Sequence, residues 1–134
     1  MTSEDFKIEK IYVCGFRKEE EILNLNSAKG WLSLTPAGAD DVPEKIDGVD
    51  CSRVLVSPDA LDDELAKKVI GEIERLPKPL LISCASGARA STCAWIYIAK
   101  KHGYNFEKVL ELSAGESWLN KPPLKNWVAR HSAD

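Results

Sequence analysis

The sequence predicts an α/β domain, a three-layer α/β/α arrangement with a mainly parallel central sheet. Short apolar runs rich in β-branched residues alternate with longer stretches of helical periodicity. The segments between the runs are long enough for the crossovers that parallel strands require. One helical stretch, 88–101, is apolar almost all round and so belongs in the interior.

In chain order, Lys10-Ile11-Tyr12-Val13-Cys14-Gly15 reads as the first strand, closed by glycine. A helix is expected over 18–26, where Ile22, Leu23 and Leu25 follow glutamates that suit the positive end of a helix dipole; Gly30 then resets the backbone. Trp31-Leu32-Ser33-Leu34-Thr35 is the second strand. The stretch 36–50, with Pro36, Gly38, Pro43 and Gly48 among acidic residues, is the main irregular connection. Val54-Leu55-Val56 is expected as a short buried strand, from which Ser57-Pro58-Asp59 turns into the clearest helix. There Leu61, Leu65, Val69, Ile70, Ile73 and Leu76 share one face, Asp62, Asp63, Lys67, Lys68, Glu72 and Glu74 take the other, and Pro77 and Pro79 end it. Leu80-Leu81-Ile82-Ser83 is a continuous apolar strand leading into Cys84, and the apolar helix runs from Ala88 to Lys101 with Gly103 as its cap. Asn105 or Phe106 opens a further helix carrying Val109, Leu110 and Leu112. In the tail, 120–134, Pro122-Pro123 marks a helix start and Leu124, Trp127 and Val128 are expected to pack on the body.

A length of 134 residues with 44% hydrophobic content fits one domain over 1–134, with 1–7 and 130–134 as candidate disordered ends. The net charge of -3 arises from 18 basic and 21 acidic residues mixed along the chain, which argues against a nucleic-acid or membrane partner. The polar stretch Met1 to Lys10, and the lack of any run of roughly 18 apolar residues, lead us to expect a soluble cytoplasmic protein. The four cysteines, at 14, 51, 84 and 93, are too few and scattered for a disulfide scaffold, and neither His102 nor His131 stands near a cysteine or paired carboxylate in sequence. Reduced thiols, no metal and no cofactor are therefore expected.

The chemistry concentrates after the strand at 80–83. A chain passing from a buried strand through Cys84-Ala85-Ser86-Gly87-Ala88-Arg89 into a buried helix converges successive N–H groups on one point, with Gly87 permitting the tight turn. The first-turn amides of the helix are unpaired and lie at the positive end of its dipole, and Arg89 adds a permanently charged fork for a tetrahedral oxyanion. Residues 85–89 are thus the candidate anion-binding set. The same field stabilises a thiolate and makes Cys84 the candidate nucleophile.

Ile82-Ser83-Cys84-Ala85-Ser86-Gly87-Ala88-Arg89 resembles the active-site loop of the protein tyrosine phosphatase superfamily and, separately, that of the rhodanese sulfurtransferases. Over most of its length, from the Tyr12-Val13-Cys14-Gly15 strand through Leu80 to Arg89 and on to the 103–115 segment with its Ala114-Gly115 pair, the chain is similar to the phosphatase-like domain of beta-lactamase-hydrolase-like proteins. This resemblance implies a protein-tyrosine-phosphatase-like fold and hydrolysis of a phosphorylated or other anionic substrate, with Cys84 as nucleophile and Arg89 on the phosphoryl oxygens. Asp59 then becomes the candidate general acid, at the position where dual-specificity phosphatases carry theirs, with Asp62 and Asp63 in reserve.

Two departures bear on this. Ser83 stands where a tyrosine phosphatase has histidine, and only four residues separate Cys84 from Arg89, so that Ala90 occupies the phosphatase arginine position. The shorter spacing is what a rhodanese uses to hold a persulfide on its cysteine. The 107–112 segment, by contrast, reads as a helix where rhodaneses place a strand. A sulfurtransferase moving sulfane sulfur through Cys84 is therefore the alternative, and a non-catalytic phosphate- or sulfate-binding module is a second one. Plainer roles exist for each residue: a core thiol for Cys84, an ion-pair partner for Arg89, a helix N-cap for Asp59, local backbone bonding for Ser86 and Ser91, and core packing for Cys93 and the tryptophans at 31, 95, 118 and 127. A resolving role for Cys93 or Cys14 is a minor option.

Overall fold

The structure is a computed structural model and describes residues 10–15, 28–35, 48–57, 59–85 and 87–133. The helix expected over 18–26, most of the 36–50 connection, Pro58 and Ser86 lie outside the described residues. Strands β1 (Ile11–Cys14), β2 (Gly30–Ser33), β3 (Asp50–Arg53) and β4 (Leu80–Ser83) form one parallel sheet in the order β1-β4-β2-β3. Among the described residues the helices are α1 (Asp63–Arg75), α2 (Ala88–His102), α3 (Phe106–Leu112) and α4 (Pro122–Arg130), with a 3₁₀ turn at Ser117–Asn120 before α4.

The apolar run at 80–83 takes the inner position that its composition demands: β4 pairs β1 from Ile11↔Leu80 to Cys14↔Ser83, and β2 from Gly30↔Leu80 to Ser33↔Ser83. Alternation along the strands divides the side chains between two faces. On one face Ile11, Val13, Leu32, Leu80, Ile82 and Cys84 join the main core with the helices. On the other, Trp31 and Leu81 pack with Ala28, and with Tyr12, Val49 and Cys51 at the margin. Trp31 is 4% and Leu81 0% exposed, so this second face is covered as well.

One strand lies elsewhere than the hydrophobic pattern predicts. The pairing with β2 is made by Asp50-Cys51-Ser52-Arg53, a polar strand that is the edge of the sheet among the described residues, while Val54-Leu55-Val56 follows it outside regular structure. An edge strand needs little apolar side chain because solvent bounds it, so its polarity hid it. The three apolar residues still run beside β2, with Val54 N–H on Ser33 O (2.9 Å) and Val56 N–H on Leu34 O (3.1 Å). Val54 and Val56 point inward, and Leu55 points out and is 53% exposed.

Helix α1 starts at Asp62, whose side chain accepts from Leu65 N–H at 2.8 Å; the N-cap belongs to Asp62, and the alternative of Asp59 as cap does not hold. Val69, Ile73 and Leu76 are buried along the expected face and Ala66 joins them. Helix α2 is buried on all sides over Ala90–Ala99 and is bounded by left-handed glycines, Gly87 (φ 89) and Gly103 (φ 68). Helix α3 begins after Asn105, whose side chain caps Lys108 N–H at 2.9 Å. In α4, Leu124, Trp127 and Val128 are buried as expected, and beyond it Ala133 N–H donates to Tyr104 O at 2.9 Å. No helix among the described residues is long and apolar enough to cross a membrane.

Candidate active site

Cys84 follows β4 directly, at the carboxyl edge of the sheet, which is where open α/β sheets place their ligands. Its Sγ accepts two main-chain hydrogen bonds, from Gly87 N–H at 3.1 Å and from Ala90 N–H at 3.4 Å. The bend that aims the first of these requires Gly87: at φ 89 and ψ -15 a side chain would be strained, and the residue doubles as the N-cap of α2 without any side-chain cap bond. The second N–H belongs to the first turn of α2, so it is one of the amides that the helix itself leaves unpaired. Cys84 is also a fully buried member of the main core, and the two N–H groups are what distinguish it from a thiol packed only against carbon.

Arg89 is half-buried, and its Nη1 donates to Val56 O at 2.9 Å. Among the described residues its guanidinium makes no other hydrogen bond. The ion-pair role is not what the structure shows, since the partner is a carbonyl. Ala85 is exposed at the rim, Ala88 is buried as the first residue of α2, and Cys84 itself has no exposed surface. The sulfur thus lies at the floor of the loop, below the rim.

Asp59 is exposed, and its N–H donates to Ser57 Oγ at 3.4 Å. It stands three residues beyond Val56, whose carbonyl accepts from Arg89, and no bond from its carboxylate to Cys84 or Arg89 occurs among the described residues. The reserves have other tasks: Asp62 caps α1, and Asp63 Oδ1 faces His131 Nε2 at 3.2 Å. Cys93 is fully buried, and burial first, then the nearby Cys84, pushes its thiol far above the ordinary range, so it is a neutral core residue.

Three participants had no signature in the sequence. Ala90 contributes only its N–H, which any residue but proline supplies, and Val56 contributes only its carbonyl. The third is the support behind the loop: Ser83, on the opposite face of the sheet from Cys84, accepts from Trp31 Nε1 at 2.9 Å. Beside it Arg53 Nη1 lies 2.8 Å from Thr35 O and 3.1 Å from Ser33 Oγ, tying the ends of β2 and β3 together. Trp31 therefore packs as expected but also donates a hydrogen bond. Trp95 and Trp118 do likewise, both donating to the buried carboxylate of Glu116 at 3.0 Å.

No family model matches the chain, and no curated protein matches it in sequence. Solved structures do match it in fold. A DUF442 protein from Shewanella putrefaciens CN-32 superposes with a TM-score of 0.68 at 17% identity, over 92% of this chain and 85% of that one. The core catalytic domain of the PP-IP phosphatase SIW14 from S. cerevisiae, solved with citrate, gives 0.68 at 18%, over 96% and 85%. The PTP-2 phosphatase of Cydia pomonella gives 0.65 at 17%, over 91% and 85%. At these identities the likeness is one of fold, and the fold is protein-tyrosine-phosphatase-like, as the loop and its flanking segments led us to expect.

Proposed function

We propose that the chain is a phosphatase-like hydrolase in which Cys84 attacks the phosphorus of a phosphate monoester. The observation that carries this reading is the pair of main-chain N–H groups directed at Cys84 Sγ at the end of the central strand. Its support from outside the loop is the shared fold with SIW14 and the Cydia pomonella PTP-2 phosphatase. The Ala85-to-Arg89 amides and the free part of the Arg89 fork hold the nonbridging oxygens, which carry most of the transition-state charge. As the S–P bond forms, the bond from phosphorus to the leaving oxygen breaks, and Asp59 in its acid form gives that oxygen a proton. Asp59 then takes a proton from the water that splits the thiophosphate, which releases inorganic phosphate and restores the thiolate.

A sulfurtransferase is the second reading, because Arg89 follows Cys84 after four residues, the rhodanese spacing. The helix α3 at Phe106–Leu112, where rhodaneses have a strand, weighs against it. Parallel assays decide: p-nitrophenyl phosphate in one, thiosulfate with a thiol acceptor in the other, each with the parent chain and Cys84→Ser. Phosphate release that disappears in Cys84→Ser is the expected result. Sulfur transfer that disappears in the variant establishes the second reading, and inactivity in both assays leaves a module that only binds phosphate or sulfate.

A further inference from the structure

The turn that carries Asp59 has few resources of its own. Asp59, Ala60 and Asp62 are exposed, and its internal bonds are short-range ones: Ala60 N–H on Ser57 O at 3.0 Å and Asp62 N–H on Ala60 O at 3.1 Å. A segment with so little buried surface belongs to the low-stability end of a structure unless its ends are held. Both ends are held, and from different elements. At the near end Arg89 donates to Val56 O. At the far end Asp62 O accepts from Ala66 N–H of α1 at 3.2 Å, and one face of α4 reaches across as well: Trp127 Nε1 donates to Asp62 O at 3.1 Å and Arg130 Nη2 to Leu61 O at 2.6 Å. His131, just past the helix, brings Nε2 to 3.2 Å from Asp63 Oδ1. Positions 127, 130 and 131 have the i, i+3, i+4 spacing of one helix face, and they meet three consecutive residues, Leu61, Asp62 and Asp63. Burying Trp127 would satisfy packing in several orientations. Aiming its N–H and a guanidinium at adjacent carbonyls is directional.

We propose that Trp127 and Arg130 are positioning residues for the acid turn: α4 fastens its far end and so fixes where Asp59 stands relative to the Cys84 loop. The proposal rests on the phosphatase reading for its catalytic consequence. A carboxylic acid donates usefully only within hydrogen-bond reach of the leaving oxygen, and a displacement of about 1 Å costs on the order of 10²-fold. Loss of the fastening therefore has a particular signature, because only substrates with poor leaving groups need the proton.

The test compares phenyl phosphate, a poor leaving group, with p-nitrophenyl phosphate, a good one, in the parent chain, Asp59→Asn, Trp127→Phe, Arg130→Gln and Arg130→Lys, together with amide hydrogen exchange at residues 60–62. Arg130 is exposed, so Arg130→Gln leaves the core intact even if Trp127→Phe folds poorly. Asp59→Asn is expected to lose roughly 10²-fold or more in kcat/KM on phenyl phosphate and far less on the nitrophenyl ester. Trp127→Phe and Arg130→Gln should show a selective loss of roughly 10-fold on phenyl phosphate with faster exchange at 60–62, and Arg130→Lys, which keeps a charged donor with a longer reach than the glutamine amide, should recover most of it. Unchanged exchange at 60–62 in Arg130→Gln overturns the fastening, and faster exchange with equal losses on both esters overturns its positioning role. If Asp59→Asn shows no leaving-group dependence while Arg130→Gln does, the fastening stands and the assignment of the acid to Asp59 falls. Absence of hydrolysis in the parent chain overturns the catalytic consequence along with the phosphatase reading.

Discussion

Replacing Gly87 by alanine adds one methyl group at a residue with φ 89 and ψ -15, whose N–H lies 3.1 Å from Cys84 Sγ. An L-residue held in the left-handed region costs about 1–2 kcal/mol. For 134 residues the unfolding entropy is about 0.28 kcal/mol/K near the transition, so the variant should melt about 4–7 °C lower if it keeps the turn. If the backbone relaxes instead, the N–H swings off the sulfur, and a preorganised donor lost from such a site is worth roughly 10²–10³ in rate. Gly103→Ala is the matched control: it sits at φ 68 at the other end of the same helix, with open space where its Cβ would go, and has no contact with the loop. Both variants should be destabilised to a similar degree, measured by thermal and urea unfolding. Only Gly87→Ala should slow carboxymethylation of Cys84 by iodoacetate, an anionic probe, and lower turnover of p-nitrophenyl phosphate. Equal reactivity of Cys84 in the two variants, at equal stability, would refute the reasoning that the Gly87 N–H activates the sulfur.

Two further outcomes concern buried ionisable groups. Burial holds the proton affinity of His131 below that of an ordinary histidine, against an opposing pull from Asp63. The unfolded chain thus binds more protons, and the contribution of His131 to stability is fully present above about pH 6.5 and is lost as pH falls toward its lower folded value. His131→Asn should flatten urea midpoints across that interval; a slope as steep as the parent's would show that His131 is not responsible. Glu116 has the opposite sign: burial raises its carboxyl above the ordinary value of 4.5, although the N–H groups of Trp95 and Trp118 partly offset this. Stability associated with Glu116 is present below that ordinary value and is lost as pH rises through the raised one. Glu116→Gln keeps an oxygen for both indoles and should remove this decline, so a stability difference between parent and variant that does not change with pH refutes the assignment.

How far the sequence carries depends on whether a feature is written in side chains. The apolar run at 80–83 and the helix with no wet face had to be interior, because nothing else buries that much carbon, and they are β4 and α2. Gly87 and Gly103 were legible for a similar reason, since only glycine adopts a positive φ without strain and each stands at an end of that helix. The edge strand at Asp50–Arg53 was not legible: its pairing is made by backbone groups, and an edge leaves its side chains free to be polar. Nor was the cap at Asp62, because Asp59 and Asp62 offer the same chemistry and only the register of α1 selects between them.

What the sequence determined by itself is the strand-loop-helix order around Cys84, and with it the place of that cysteine at the carboxyl end of a central strand. A cysteine between an apolar strand and an apolar helix, followed by Gly87 and Arg89, has only one place to go in an α/β fold. What tertiary structure alone decided is which main-chain groups are used and by what: the N–H of Ala90 by Cys84 Sγ, the carbonyl of Val56 by Arg89, and the carbonyls of Leu61 and Asp62 by the guanidinium and indole of α4. Main-chain donors and acceptors are the same at nearly every position, so composition does not distinguish them, and contacts between residues more than sixty positions apart exist only once the chain has folded back on itself.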